Sequence, residues 1–341
     1  MQFAFDSRDN HMKLSSTDSD IISVPAFTFD QPNTLQTHSL GYRPNVRGYY
    51  EFDGDVWPVS SRFWTGKPDL RSSLNTTDSL LSINSSNFDF ADASPTVYTR
   101  AYEEGTAGNT GMAFSSNKRI EKILAGPITG SFSATGGDTQ TTETITNPTG
   151  SRQFTLMRWS LDGENWVDQD VAQYEYIAPF FYVVSALAHC TDSQIKIEAF
   201  NGYAGSKTVY YQVWLMQYEY DNIILDSRKK TLLNFDEGLA TIDISGTINA
   251  GEIKEWETSF TKDSDAMGVW YVTRSDVPSV EYQYPYSELD FRFTASNLSL
   301  VTFILYEPSR VRIKARLWNT SGTNRTISST TITYRYALFK V

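Results

Sequence analysis

The sequence has few of the residues that build disulfides, metal sites and nucleic-acid-binding surfaces. Its one cysteine, Cys190, has no partner for a disulfide within the chain. The three histidines, His11, His38 and His189, include no pair at the short spacing typical of metal ligands. Acidic residues number 40 against 29 basic ones, the net charge is −11, and no block of basic residues occurs. This pattern predicts no metal, no cofactor and no nucleic-acid partner.

Long apolar runs are also missing. The most apolar stretch, residues 177–190, is interrupted by Pro179, Ser185 and His189. It is shorter than the roughly 20 residues that a helix needs to span a bilayer. Residues 1–8 show neither the basic start nor the apolar run of a secretion signal. We therefore expect no membrane insertion, and synthesis in the cytoplasm of the producing cell.

Aromatic residues, in contrast, are plentiful. They make up 14% of the chain and include 20 Tyr and 20 Phe. Aromatic rings fit the pleated, half-buried surface of a sheet, whereas the long Ala-, Leu-, Glu- and Lys-rich stretches typical of helices do not occur. With 40% apolar residues to fill packed cores, the composition predicts an all-β fold.

Two short markers recur along the chain at similar spacing. The first is a polar turn with an arginine, at Arg8, Arg119 and Arg228, which are 111 and 109 residues apart. The second is an Asp-Gly pair before a tryptophan, at Asp53-Gly54 and again 109 residues later at Asp162-Gly163. Asp-Gly between apolar segments predicts a two-residue hairpin loop, because a type I′ turn needs positive φ at both central residues.

A third marker is a closing hairpin with alternating apolar and polar residues. It occurs at residues 194–215 and 311–339, whereas the first segment gives only the arm at residues 97–102 and a degenerate return. Shared spacing predicts three tandem diverged copies of an antiparallel β-sandwich-like module. We refer to residues 1–115, 116–224 and 225–341 as the first, second and third segments.

Two polar stretches interrupt this pattern. Residues 69–92, rich in Ser, Asn and Thr, are interpreted as a long loop inserted in the first segment. Residues 130–150 are rich in threonine and predict a second loop or a polar hairpin at a sheet edge.

Catalytic groupings are not evident in the sequence. His189 and Cys190 are neighbours, but neighbours in a strand point to opposite faces and cannot form a nucleophile–base pair. A glycosidase needs only two carboxylates and no linear motif, so the sequence leaves that chemistry open. A repeated module is more typical of a scaffold than of one specialised cleft, and we predict that the chain is not an enzyme.

One segment is a candidate binding surface. Tyr282, Tyr284 and Tyr286 alternate and therefore share one face of a strand. Pro285 keeps this strand out of the middle of a sheet. The rings could fill a protein interface or stack on a sugar; alternatively, they cap the core of the third segment.

Several motifs together resemble the virion proteins of tailed bacteriophages that are encoded among tail-tip and tail-fibre genes. The motifs are Phe5-Asp6-Ser7-Arg8, the segment Thr37-His38-Ser39-Leu40-Gly41-Tyr42-Arg43-Pro44, the Asp-Gly-x-x-Trp hairpin and the aromatic ending at residues 334–339. The Leu-Gly-Tyr-x-Pro part does not recur in the second or third segment.

The resemblance implies a structural protein of the virion in a tail tip or tail fibre. It would form a homo-oligomer, contact other virion proteins and contribute to assembly, with host attachment through a surface glycan as a further expectation. The alternatives are a carbohydrate-binding module or lectin, a glycan-cleaving spike, and a decoration protein of the head or collar.

Overall fold

The computed structural model describes most of the chain. The described residues are 13–37, 45–52, 54–59, 70–76, 79–89, 91–102, 119–169, 172–177, 180–218, 230–231, 233–262, 267–274, 283–284, 291–293, 298–307 and 309–340. Every regular element within them is a β-strand, and all the strand pairs are antiparallel. The prediction of an all-β fold is confirmed.

The strands follow one another along the three segments. In the first segment they are β1 (Lys13–Ile21), β2 (Thr28–Thr37), β3 (Asn45–Phe52), β4 (Asp55–Pro58), β5 (Leu70–Thr76), β6 (Leu80–Asn87) and β7 (Thr96–Tyr102). In the second they are β8 (Arg119–Ile120), β9 (Lys122–Ala134), β10 (Thr139–Thr146), β11 (Phe154–Ser160), β12 (Val167–Asp168), β13 (Ala172–Ile177), β14 (Phe180–Cys190), β15 (Gln194–Asn201) and β16 (Lys207–Met216). In the third they are β17 (Lys230–Thr231), β18 (Leu233–Ile248), β19 (Ile253–Thr261), β20 (Met267–Arg274), β21 (Gln283–Tyr284), β22 (Phe291–Phe293), β23 (Leu298–Tyr306), β24 (Arg310–Asn319) and β25 (Arg325–Lys340).

Strand β24 shows how the sequence pattern produces these strands. Its apolar residues alternate with charged ones, and Val311, Ile313 and Leu317 are all fully buried. On the other face, Lys314 and Arg316 form ion pairs with Glu255 of the neighbouring β19. Because apolar and charged residues alternate along the strand, one face packs on the core and the other faces water.

The same pattern of partners recurs in the three segments. In one sheet, β7 pairs with β1 and β3, β16 pairs with β9 and β11, and β25 pairs with β18 and β20. In the other, β6 pairs with β2 and β5, β15 pairs with β10 and β14, and β24 pairs with β19 and β23. The chain therefore repeats one order of strand pairing.

The sheets also continue across the segment boundaries. Strand β8 pairs with β1, and β17 pairs with β9, so a short strand after each predicted boundary joins the sheet of the preceding segment. Val56 of β4 bridges to Cys190 of β14 and links sheets of the first and second segments. The boundaries at residues 115 and 224 stay predictions, and the recurring strand pairing is what supports them.

A buried asparagine occupies the same place in each segment, at the end of β6, β15 and β24. Asn87, Asn201 and Asn319 are at most 1% exposed. In each, the side-chain amide donates to a backbone carbonyl just before β2, β10 or β19 and to the carbonyl four residues after the asparagine. Its oxygen accepts from the backbone N–H two residues after the asparagine. The partners are Val24, Ala91 and Asp89; Ala134, Gly205 and Tyr203; and Ile248, Thr323 and Ser321.

Two sequence predictions about the first segment are wrong. Residues 69–92 do not form an inserted loop, because β5 and β6 lie there and pair along their length. Residues 97–102 are not the first arm of the closing hairpin either, since they form β7, the last described strand of the segment, which pairs as the second arm β16 does. Leu74 and Ile83 face the core, and Ser72 bonds to Ser85 at 2.7 Å within it. The Ser- and Asn-rich composition concealed this alternation.

The buried side chains of the described residues form three clusters. One fills the second segment and includes Met157, Trp159 and Ile197, and one fills the third. The cluster of the first segment extends into the second, where it takes in Phe154 and Trp214. The first two segments thus share a continuous apolar core.

Candidate functional site at the junction of the first two segments

A carboxylate from the first segment anchors the contact with the second, which we call the junction. Glu51 of β3 accepts hydrogen bonds from the hydroxyls of Tyr98, at 2.8 Å, and Tyr218, at 2.6 Å. The guanidinium of Arg152 pairs with its other oxygen. Burial favours a higher pKa for Glu51, but the bonds from Tyr218 and Tyr98 and the charge of Arg152 outweigh it, so the pKa is lowered. Glu51 is therefore ionised and joins three side chains.

Aromatic rings pack beneath this polar group. Phe154 lies with its ring centroid 4.3 Å from that of Tyr49 and 5.1 Å from that of Tyr218. The guanidinium carbon of Arg100 lies 4.5 Å from the centroid of Phe154. Tyr49 donates to the carbonyl of Thr155 at 3.0 Å. Both segments thus contribute to one packed layer, in which tilted rings and a cation over a ring are favourable contacts.

A second polar group at the junction surrounds a buried histidine. His189 of β14 is 1% exposed and stacks on Trp57 of β4, with centroids 3.5 Å apart and planes at 11°. Its Nδ1 is 3.3 Å from Asp55, and its Nε2 is 3.1 Å from Glu198. Lys196 lies 3.1 Å from the same oxygen of Asp55. Such a charged, enclosed group fixes how β4 lies against β14.

The pKa of Asp55 reflects this enclosure. Burial favours a higher value, but the hydrogen bonds and charges of His189 and Lys196 outweigh burial and lower the pKa. Asp55 is therefore held as a carboxylate between two nitrogen groups of the second segment.

His189 and Cys190 do not act together in this arrangement. His189 faces the junction, whereas the thiol of Cys190 lies in the core cluster of the second segment. Burial raises the pKa of the Cys190 thiol to about 11. The reactive species of a cysteine is the thiolate, so this group is a structural side chain.

The predicted turn glycines have the backbone conformation that such turns need. Gly54 has φ 80° and Gly163 has φ 79°. Phe52 pairs with Asp55, which leaves two residues between the strands; Asp53 itself lies outside the described residues. The expected two-residue loop is wrong at the second site, because Trp159 pairs with Val167 across a longer connection.

Asp162 shapes that longer connection with its side chain. Its carboxylate accepts from the backbone N–H groups of Glu164, at 2.8 Å, and Asn165, at 2.7 Å, and from the hydroxyl of Ser160, at 2.8 Å. Burial favours a higher pKa, yet these hydrogen bonds lower the pKa of Asp162 to about 2. The role of Asp162 is that of a local turn acceptor.

The other predicted residues are only partly described. Tyr284 lies in β21 and pairs with Leu74 of β5, whereas Tyr282 and Tyr286 lie outside the described residues. The predicted tyrosine face therefore stays a prediction.

Of the marker arginines, Arg119 lies in β8, opposite Leu14 of β1. Arg8 and Arg228 lie outside the described residues. Their equivalence stays a prediction.

Neither metal-binding clusters nor membrane helices emerge from the described part of the chain. Within it, no three or more His, Cys, Asp or Glu side chains are grouped as a metal site would require. The same residues include no helix with the length and apolar character needed to cross a membrane.

The sequence alone does not reveal the junction. Tyr98, Arg152 and Tyr218 lie 47, 101 and 167 positions from Glu51. No short motif can join residues so far apart, and only the pairing of strands brings them together.

The chain matches no known protein family, no curated protein and no solved structure.

Proposed function

We propose that this chain is a non-enzymatic structural protein of a tailed-phage virion, with the tail tip or tail fibre as its place. The observation that carries the proposal is the strand pairing that recurs three times along the chain. A repeated unit suits a component that must present similar surfaces to symmetric neighbours. The phage-like motifs of the first segment are what support a location in the tail tip or tail fibre.

The equivalent strands β2, β10 and β19 support the assembly role. Each of them ends its sheet among the described strands. A strand at the end of a sheet presents backbone donors and acceptors that can pair with another chain. Three similar edges on one chain are therefore candidate contacts with virion proteins or with further copies of the chain.

The junction supports the structural role. Side chains of both segments meet at the half-buried Glu51 and at the buried His189. Carboxylates that are hydrogen-bonded to side chains of both segments fix the relative position of the strands that carry them. These residues suit a rigid scaffold.

Immunogold electron microscopy of purified particles tests the proposal. Antibodies against the purified chain should label one end of the tail, at a constant position among particles. Uniform labelling of the head would instead favour a decoration protein. Particles that carry no label, with the chain left in the soluble lysate, would remove the virion role.

A separate assay tests the non-enzyme part of the proposal. The purified chain should release no reducing sugar from polysaccharide of the host cell surface. Measurable hydrolysis would favour the glycan-cleaving alternative.

A further inference from the structure

The three sheet-end strands β2, β10 and β19 are not equally open to pairing with another chain. Native edge strands commonly carry proline, bulges or several charges, which make such pairing unfavourable. Strand β2 contains Pro32, and its pairing with β6 is interrupted by two shifts in register. Strand β19 carries three charged side chains, those of Lys254, Glu255 and Glu257. Both of these edges therefore have the features that disfavour a further strand.

Strand β10, by contrast, has almost no such protection. It contains no proline, and Glu143 is its one charged residue. It pairs with β15 along its whole length without a shift in register. Five of its eight residues are threonine, whose branched side chain favours the extended backbone of a strand. A regular and nearly uncharged edge of this kind is open to an additional strand.

The hydrogen bonds that flank β10 show which of its backbone groups face the free edge. Before the strand, the N–H of Gly137 donates to the carbonyl of Tyr203 at 2.7 Å. After it, the N–H of Asn147 donates to the carbonyl of Ser193 at 3.0 Å. Hydrogen-bonded pairs alternate along an antiparallel ladder, so the odd-numbered residues of β10 bond to β15 and the even-numbered ones direct their N–H and C=O groups away from it. The even-numbered residues, all with exposed side chains, are Gln140, Thr142, Thr144 and Thr146.

A second copy of β10 fits this edge. Because the strand is nearly uncharged, it offers little to a partner chosen by opposite charge, whereas threonines that face one another across two strands stabilise the pair. A two-fold axis at Thr142 places this residue opposite its own copy and Gln140 opposite Thr144. Each of these hydrogen-bonded pairs exchanges two bonds, so the contact holds about six backbone hydrogen bonds.

The other registers of this symmetric pairing are less favourable. With the axis at Glu143, the two carboxylates would lie directly opposite each other, and like charges in that position are destabilising. With the axis at Thr144, Gln140 would lie opposite Pro148, which has no N–H to donate. With the axis at Thr142, Glu143 lies opposite the uncharged Thr141. This register therefore satisfies the edge groups and separates the charges.

We propose that two copies of the chain associate through β10, paired antiparallel about a two-fold axis at Thr142. The nine-stranded sheet that β10 ends then continues into the second copy. The inference rests on the assembly role proposed above and names the edge and the partner. Because self-association is measured on the purified chain without phage particles, its failure is distinct from a failure of the virion role.

Sedimentation velocity of the full-length chain tests the association. The wild type should sediment as a dimer. Thr142→Pro removes an N–H that makes no bond to β15, and an edge strand tolerates proline where the N–H faces outward, so this variant should stay folded by circular dichroism and sediment as a monomer. Thr142→Val is the matched control, since it keeps the N–H and the branched shape, and should remain a dimer. A monomeric wild type, or equal masses for the two variants, would overturn the proposal.

Disulfide trapping tests the register without a proline. The chain has one native cysteine, Cys190, which is buried, so an introduced cysteine is the accessible one. Thr142→Cys lies opposite its own copy, at the Cα separation of about 5.5 Å that a disulfide can span. Mild oxidation should give a covalent dimer on a non-reducing gel. Thr144→Cys, on the same face but about 13 Å from its copy, should not. No covalent dimer for Thr142→Cys, or equal yields for both variants, would overturn the proposal.

Discussion

We expect the recurring buried asparagine to make a large and local contribution to stability. Asn201 donates to the carbonyls of Ala134 and Gly205 and accepts from the N–H of Tyr203, each at 3.0 Å. A net value of about 1 kcal/mol for each hydrogen bond gives a loss of about 3 kcal/mol for Asn201→Ala. Asn201→Asp should cost more, because its carboxylate would face two carbonyl oxygens in a buried place.

Denaturant unfolding followed by tryptophan fluorescence measures this loss. Trp159 lies in the buried cluster of the same segment, so its emission, within the summed signal of the chain's eight tryptophans, changes when that segment unfolds. Ser206→Ala is the matched control, because Ser206 is exposed in the same connection between β15 and β16. The denaturant midpoint should fall strongly for Asn201→Ala. For Ser206→Ala the free energy of unfolding should fall by less than about 0.5 kcal/mol. Equal midpoints for the two variants would refute the reasoning.

Three further perturbations address other parts of the structure. Gly163→Val should lower the free energy of unfolding by about 1 kcal/mol or more in thermal melts, because φ is positive at this residue. Gly205→Val is the control and should lower it by less, since Gly205 lies in open space without a positive φ. Equal losses would exclude strain in the turn as the cause. Asp162 has a pKa of about 2, below its usual value, so its contribution to the free energy of unfolding is complete above about pH 4 and is lost as the pH falls towards 2. Asp162→Asn should therefore make the free energy of unfolding depend less on pH between about 4 and 2. The same dependence in the variant and the wild type would rule this contribution out. Glu51→Gln and Tyr218→Phe should be coupled by about 0.5–3 kcal/mol in a double-mutant cycle of unfolding free energies; additive losses would show that the hydroxyl–carboxylate bond adds no stability.

Some of the fold can be predicted from the sequence because local alternation determines it. Strands such as β24 place apolar residues on one face and charges on the other, and the pattern is visible in the residues themselves. Strands β5 and β6 could not be predicted because serine and asparagine flank the buried Leu74 and Ile83 on both sides. The spacing of short markers suggested a repeat without identifying its strands.

The junction could not be predicted for a different reason. Glu51 and Tyr218 are 167 positions apart and meet only because strands of two segments pack together. The buried asparagines could not be predicted either, since Asn201 resembles any loop residue in sequence. Its importance comes from the carbonyls that its amide reaches after folding.

Quantitative mass spectrometry of density-gradient-purified phage particles tests the central claim most directly. As a structural component of the tail, the chain should be present in a fixed ratio to known tail proteins, and the ratio should persist through repeated purification. A chain that is lost on purification, or whose ratio to tail proteins varies between preparations, would contradict the account.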